Sequence, residues 1–97
     1  MSAIRQKYPN RVPIVIESGT KGFVIEPKKY LAPKESTLAS FIASVRKYAK
    51  LNSKEALFFM VNNVMVPASE TLSEIDSRNT FEDDMLHMVV TKEDTFG

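Results

Sequence analysis

Apolar positions change period several times along this chain. Leu38, Phe41, Ile42, Val45 and Ala49 recur at helical spacing behind the cap candidates Ser36 and Thr37, which predicts an amphipathic helix over residues 37–50. Elsewhere the apolar residues come in runs of strand length. Residues 11–17 are rich in β-branched side chains with Pro13 among them, which points to an edge strand or to a strand start. Residues 18–22 include two glycines able to take positive φ, and residues 23–26 resume a strand pattern that Pro27 closes, so a hairpin is expected there. The run Ala56–Val61 is a further strand, and Asn62-Asn63 turns it back through residues 64–66. Thr71 and Glu74 have the spacing of a capping box, placing a short helix over residues 72–78. Residues 86–91 read as the last strand.

The order is strand, strand, long helix, strand, short strand, short helix, strand. Helices segregated to one side of such a sheet make an α+β roll. The expectation is the β-grasp plan of ubiquitin-like proteins: a mixed four-stranded sheet, one long crossing helix and a short second helix. Residues 1–91 would form this domain. Residues 92–97, polar except at Phe96 and without strand alternation, would form a mobile C-terminal tail.

Composition narrows the picture without naming a function. Ninety-seven residues, 43% of them apolar and 26% charged, suit one small globular domain. The chain has no cysteine, so a disulfide framework, a thiolate zinc site and a cysteine nucleophile are excluded. No N-terminal segment has the form of a signal peptide, and the longest apolar run is far short of the roughly 20 residues a membrane-spanning helix needs. The formal net charge of +1 conceals a polarity: residues 1–50 carry ten basic and three acidic groups, residues 51–97 three basic and nine acidic. A basic half suits an acidic partner, and it equally suits attraction to the acidic half of the same fold.

Enzyme chemistry finds little to stand on. His87 is the single histidine and sits in a strand, where a solvated or packed side chain is the ordinary outcome and a zinc site would want three or four ligands. Glu82-Asp83-Asp84 lacks calcium-loop spacing and reads as a solvated loop. There is no glycine-rich phosphate cradle and no serine elbow. The expectation is a protein that is not an enzyme and uses no metal or cofactor. Gly97 has a different chemical value: a residue without Cβ carries an unhindered carboxylate that can thread a narrow channel, be activated, pass to a thiol and be attacked by an amine.

Several blocks coincide with a known family. Residues 4–17, the Lys28-Lys29-Tyr30-Leu31-Ala32-Pro33 segment, residues 56–63 and Asp94-Thr95-Phe96-Gly97 resemble the autophagy ubiquitin-like modifiers of the GABARAP and light-chain-three type. The resemblance covers nearly the whole chain. It implies conjugation of Gly97, presented by Thr95 and Phe96, to phosphatidylethanolamine during autophagosome formation. The partners it implies are the activating and conjugating enzymes of the autophagy system, a deconjugating cysteine protease, and receptors, with no nucleic acid. The implied location is cytoplasmic, with a lipidated pool on autophagosomal membranes. The alternatives are a non-conjugated adaptor of ubiquitin fold that binds acidic partners, and a modifier attached to a protein lysine.

The family binds short motifs, an aromatic residue followed three positions later by an aliphatic one, as a strand added beside the Lys-Tyr-Leu segment. Carried over, that edge spans residues 28–32. The aromatic pocket would use Ile4, Pro13, Lys29, Leu31 and Met85, and Arg11, Lys28 and Lys29 would attract acidic residues of the motif. For Ile4, Pro13 and Leu31, core packing is the plainer reading of the residues alone. The aliphatic pocket would use Tyr30, Ala32, Pro33, Ser36, Phe41, Ser44 and Tyr48. Here the chain departs from the pattern, with Ser36 and Ser44 at positions usually held by leucine and Tyr48 where arginine is common. Two lost leucines imply roughly 1 to 3 kcal/mol weaker binding of a standard motif. The chain also has seven residues before Tyr8, so the first of the family's two N-terminal helices would be missing, and its first hairpin is about two residues short.

Overall fold

A computed structural model describes residues 2–52, 54–79 and 81–93. It contains helices α1 (Ala3–Lys7), α2 (Leu38–Tyr48) and α3 (Leu72–Ser77), and strands β1 (Arg11–Ser18), β2 (Lys29–Pro33), β3 (Ala56–Val61), β4 (Val64–Met65) and β5 (Leu86–Glu93). The strands form one sheet in the order β2-β1-β5-β3-β4. β1 and β5 run parallel in its centre, and the other neighbours are antiparallel. The sheet therefore has five strands and not four, because Val64 and Met65 pair with Val61 and Met60 across a two-residue turn. Asn62 and Asn63 take φ of 51° and 65° there, the left-handed values that a tight hairpin turn requires.

Alternation along β1 and β5 aims Val12, Ile14, Ile16, Leu86, Met88 and Val90 at the core, where Leu38, Phe41 and Val45 of α2 and Leu72 and Ile75 of α3 meet them. The helix starts are linked. Thr37 caps α2 and Thr71 caps α3, the latter with the reciprocal Glu74 bond of a capping box. The Leu38 N–H donates to the Glu70 carbonyl and the Leu72 N–H to that of Ser36, both at 2.8 Å, so the two caps are pinned side by side.

Four expectations need correction. Residues 23–26 are not a strand: Ile25 drops into the core, Val24 points outward at 71% exposure, and pairing with β1 begins only at Lys29. Burial of Ile25 in the core takes residues 23–26 out of line with β1, so the ladder is not extended before Lys28. Pro13 does not mark an edge, since β1 lies between β2 and β5, and of the two readings it is the strand start that stands. The Ile16 N–H donates to the Lys28 carbonyl, so by alternation the Pro13 nitrogen points away from β2, one position before pairing with β5 starts at Ile14. The last strand continues past Thr91 through Lys92 and Glu93, with Lys92 opposite Leu57 and Glu93 opposite Ala56. The remaining tail residues, 94–97, lie outside the described residues.

The fourth correction concerns the N-terminus, where the structure adds α1. Ser2 caps it by accepting from the Arg5 N–H. Of the acidic triplet, Glu82 and Asp83 are exposed as expected, while Asp84 anchors this helix. Asp84 accepts from the Ser2 N–H at 2.8 Å, while Arg5 donates to the Asp84 carbonyl at 2.7 Å and to both carboxylate oxygens of Asp76.

Candidate functional site

β2 is an outer strand of the sheet, and its pairing decides which of its groups are available. Tyr30 and Ala32 lie opposite Ile14 and Val12 and share their face, toward α2. Lys29 and Leu31 lie opposite Val15 and Pro13 and share the other face. Since the carbonyl of Lys28 is bonded to β1, the alternation directs the main-chain groups of Lys29 and Leu31 to the open edge. Pro33 has no N–H and ends the run. The Arg11 guanidinium donates to the Leu31 carbonyl at 3.1 Å, covering one of these edge acceptors, which is a usual way of guarding a strand edge.

Between β2 and α2 lies a cavity of about 200 Å³. Tyr30, Ala32, Pro33, Ser36, Phe41, Ser44 and Tyr48, the whole set named for the aliphatic pocket, line it together with Arg11, Leu31 and Ser40. Its aromatic wall is well defined: the Tyr30 and Phe41 rings meet edge to face at 5.5 Å, and Phe41 meets Phe59 in the same way at 6.3 Å. The Tyr30 hydroxyl is buried with no hydrogen-bond partner among the described residues, and burial pushes its pKa up. Tyr48 stands at the mouth, 63% exposed.

The aromatic set is less concentrated. Pro13, fully buried, and Leu31, half-buried, are cross-strand partners with exposed Lys29 beside them on the outer face. Ile4 is 37% exposed on α1. Met85 borders a separate cavity of about 110 Å³ with Arg5, Asp76, Asn79, Phe81 and Asp84. Lys28 is exposed just before β2, so the strand begins one residue later than the carried-over edge. Gly97, Phe96 and Thr95 lie outside the described residues.

Sequence reasoning missed Ser40, which lines the cavity one helical turn before Ser44, and the hold of Arg11 on Leu31. A serine at helical spacing from Ser44 was the available signal for the first. The second joins residues 20 positions apart and needs the register. His87 is half-buried, with Nε2 2.7 Å from Asp83 and its ring 5.0 Å from that of Phe81. Among the described residues no cluster of three or more His, Cys, Asp or Glu side chains could hold a metal, and no helix is long and apolar enough to cross a membrane.

Comparison with known proteins gives matches over nearly the whole chain. The family model described as autophagy protein Atg8, ubiquitin-like, matches residues 1–97. Autophagy-related protein 8c of Arabidopsis thaliana is 40% identical over 98 residues, covering 99% of this chain and 82% of that protein. Autophagy-related protein 8A of Oryza sativa subsp. indica is also 40% identical, over 97% of this chain and 81% of its own length. The crystal structure of Trypanosoma brucei ATG8 superposes with a TM-score of 0.82 at 32% identity, over 97% of this chain and 83% of that one. With its β-grasp fold and this full-length similarity, the chain belongs to the Atg8 family of autophagy ubiquitin-like proteins.

Proposed function

We propose that this chain is a lipid-conjugated autophagy modifier that also docks receptor peptides on the open edge of β2. One observation carries the docking half: on the outer strand β2, Lys29 and Leu31 share one face and Tyr30 and Ala32 the other, toward the cavity. Side chains three positions apart in an extended peptide point to opposite faces. A strand laid against Lys29 and Leu31 would therefore send its aromatic residue toward Pro13 and Leu31, and its partner three residues later into the cavity under α2. Main-chain hydrogen bonds to Lys29 and Leu31 would supply affinity and the pockets selectivity. Acidic residues of the peptide would meet Arg11, Lys28 and Lys29, and a carboxylate would compensate Arg11 for leaving the Leu31 carbonyl.

Family membership supports the conjugation half, with Gly97 as the reacting residue. The Gly97 carboxylate would be adenylated with ATP by an activating enzyme and passed to a partner's cysteine as a thioester, since this chain has no thiol of its own. The amine of phosphatidylethanolamine would then attack the acyl carbon, forming an amide and releasing the thiolate. Two acyl chains anchor stably where one is marginal, so the reaction moves a cytosolic protein onto a membrane and a deconjugating protease returns it.

Mass spectrometry of the membrane-bound form tests this reading. The expected result is a phosphatidylethanolamine mass on Gly97, and loss of membrane recruitment in Gly97→Ala. An unmodified chain would favour a non-conjugated adaptor, and an isopeptide would favour attachment to a protein lysine.

A further inference from the structure

We infer that the cavity between β2 and α2 selects a side chain that has an aromatic ring with a hydroxyl tip, namely tyrosine, in place of the aliphatic residue of the family motif. This rests on the docking reading above and sharpens it at one peptide position. The occupant is an acidic peptide with tyrosine three residues after its first aromatic residue.

Size comes first. The cavity holds about 200 Å³, whereas an apolar cavity of about 150 Å³ already takes up benzene, so a six-membered ring has room. Ser36 and Ser44, both small, line this space, and leucines there would take up part of it.

The lining is of two kinds. Tyr30 and Phe41 form an edge-to-face wall, a setting in which a third ring is favoured over a branched aliphatic group. Ser36, Ser40 and Ser44 line the helix side, and their hydroxyls make no hydrogen bond with any described residue. An aliphatic side chain seated there would strip water from those hydroxyls and return nothing, whereas a phenolic hydroxyl can both donate and accept. Arg11, in the same lining, suits a ring face, and with Lys28 and Lys29 nearby it complements acidic flanking residues.

Calorimetric titration of the natural chain with three synthetic acidic peptides tests this. They share a leading tryptophan and differ only in having leucine, phenylalanine or tyrosine three residues later. Tyrosine should bind about three- to tenfold more tightly than leucine, with phenylalanine between them, and Ser36→Leu/Ser44→Leu should reverse the order. Leucine equal to or tighter than tyrosine on the natural chain would overturn the inference while leaving docking intact. Failure of all three peptides to bind would overturn the docking reading, and this inference with it.

Discussion

Arg5 grips both carboxylate oxygens of Asp76, at 2.8 and 2.9 Å, and so ties the first helix to the third across 71 positions of sequence. Both side chains are about four-fifths buried, at 20% and 19% exposure. The Asp76 carboxylate holds the guanidinium pKa above its ordinary value, against the opposing effect of burial. Removing either partner strands the other in a half-dry site. Arg5→Ala should lower unfolding stability by about 1 to 3 kcal/mol. A double-mutant cycle with Asp76→Ala, measured by urea denaturation, should return a coupling of at least about 1 kcal/mol. Simple additivity would mean that α1 is not held by this pair.

Acid should loosen the same corner. The Ser2 N–H, then Arg5, holds the Asp84 carboxyl below its ordinary 3.8, and His87 does the same for Asp83. A carboxylate whose folded pKa is depressed contributes stability that is present above its unfolded pKa and lost as pH falls through the folded one. Unfolding midpoints should therefore decline as pH drops below about 4, and Asp84→Asn should flatten that decline. An unchanged slope in Asp84→Asn would show that other carboxylates govern acid sensitivity.

Gly19 and Gly22 resist substitution for different reasons. A Cβ at Gly19 would lie 2.7 Å from Val89 Cγ1 and 2.9 Å from Thr91 Cγ2, both on β-branched side chains with little freedom to yield. Gly22 has open space around it but a φ of 81°. Gly19→Ala should cost about 1 to 3 kcal/mol through overpacking, and Gly22→Ala about 1 kcal/mol through backbone strain. Thermal unfolding of the two variants would check the ranking.

Tyr30→Phe removes a buried hydroxyl that has no partner among the described residues and keeps the ring against Phe41. Stability should be unchanged or rise by up to about 1 kcal/mol, read by urea denaturation. A loss of that size would mean that the hydroxyl is satisfied in solution.

Local pattern and local chemistry carried most of the fold. The apolar spacing of Leu38, Phe41 and Val45 marks the face of α2 that is buried, and the Thr71 and Glu74 pair marks the start of α3. What stayed hidden depended on partners distant in sequence. Residues 23–26 have strand composition, but Ile25 is drawn into the core and the ladder with β1 starts only after them. The anchoring role of Asp84 was hidden because its partners, Ser2 and Arg5, lie some 80 positions away. At the site, the residues around the cavity under α2 were legible through family resemblance, and Ser40 through its helical spacing to Ser44; the Arg11 to Leu31 bond required knowing that β1 and β2 pair in this register.

Amide hydrogen exchange of the labelled protein, with and without an acidic peptide carrying the aromatic and downstream motif residues, addresses the docking edge most directly. Lys29 and Leu31 point their N–H groups to the open edge of β2, so the peptide should slow exchange at these two amides, with shifts spreading to Tyr30 and Ser44. A peptide that binds while leaving Lys29 and Leu31 unprotected, or that instead protects Val64 and Met65 on the opposite edge, would contradict it.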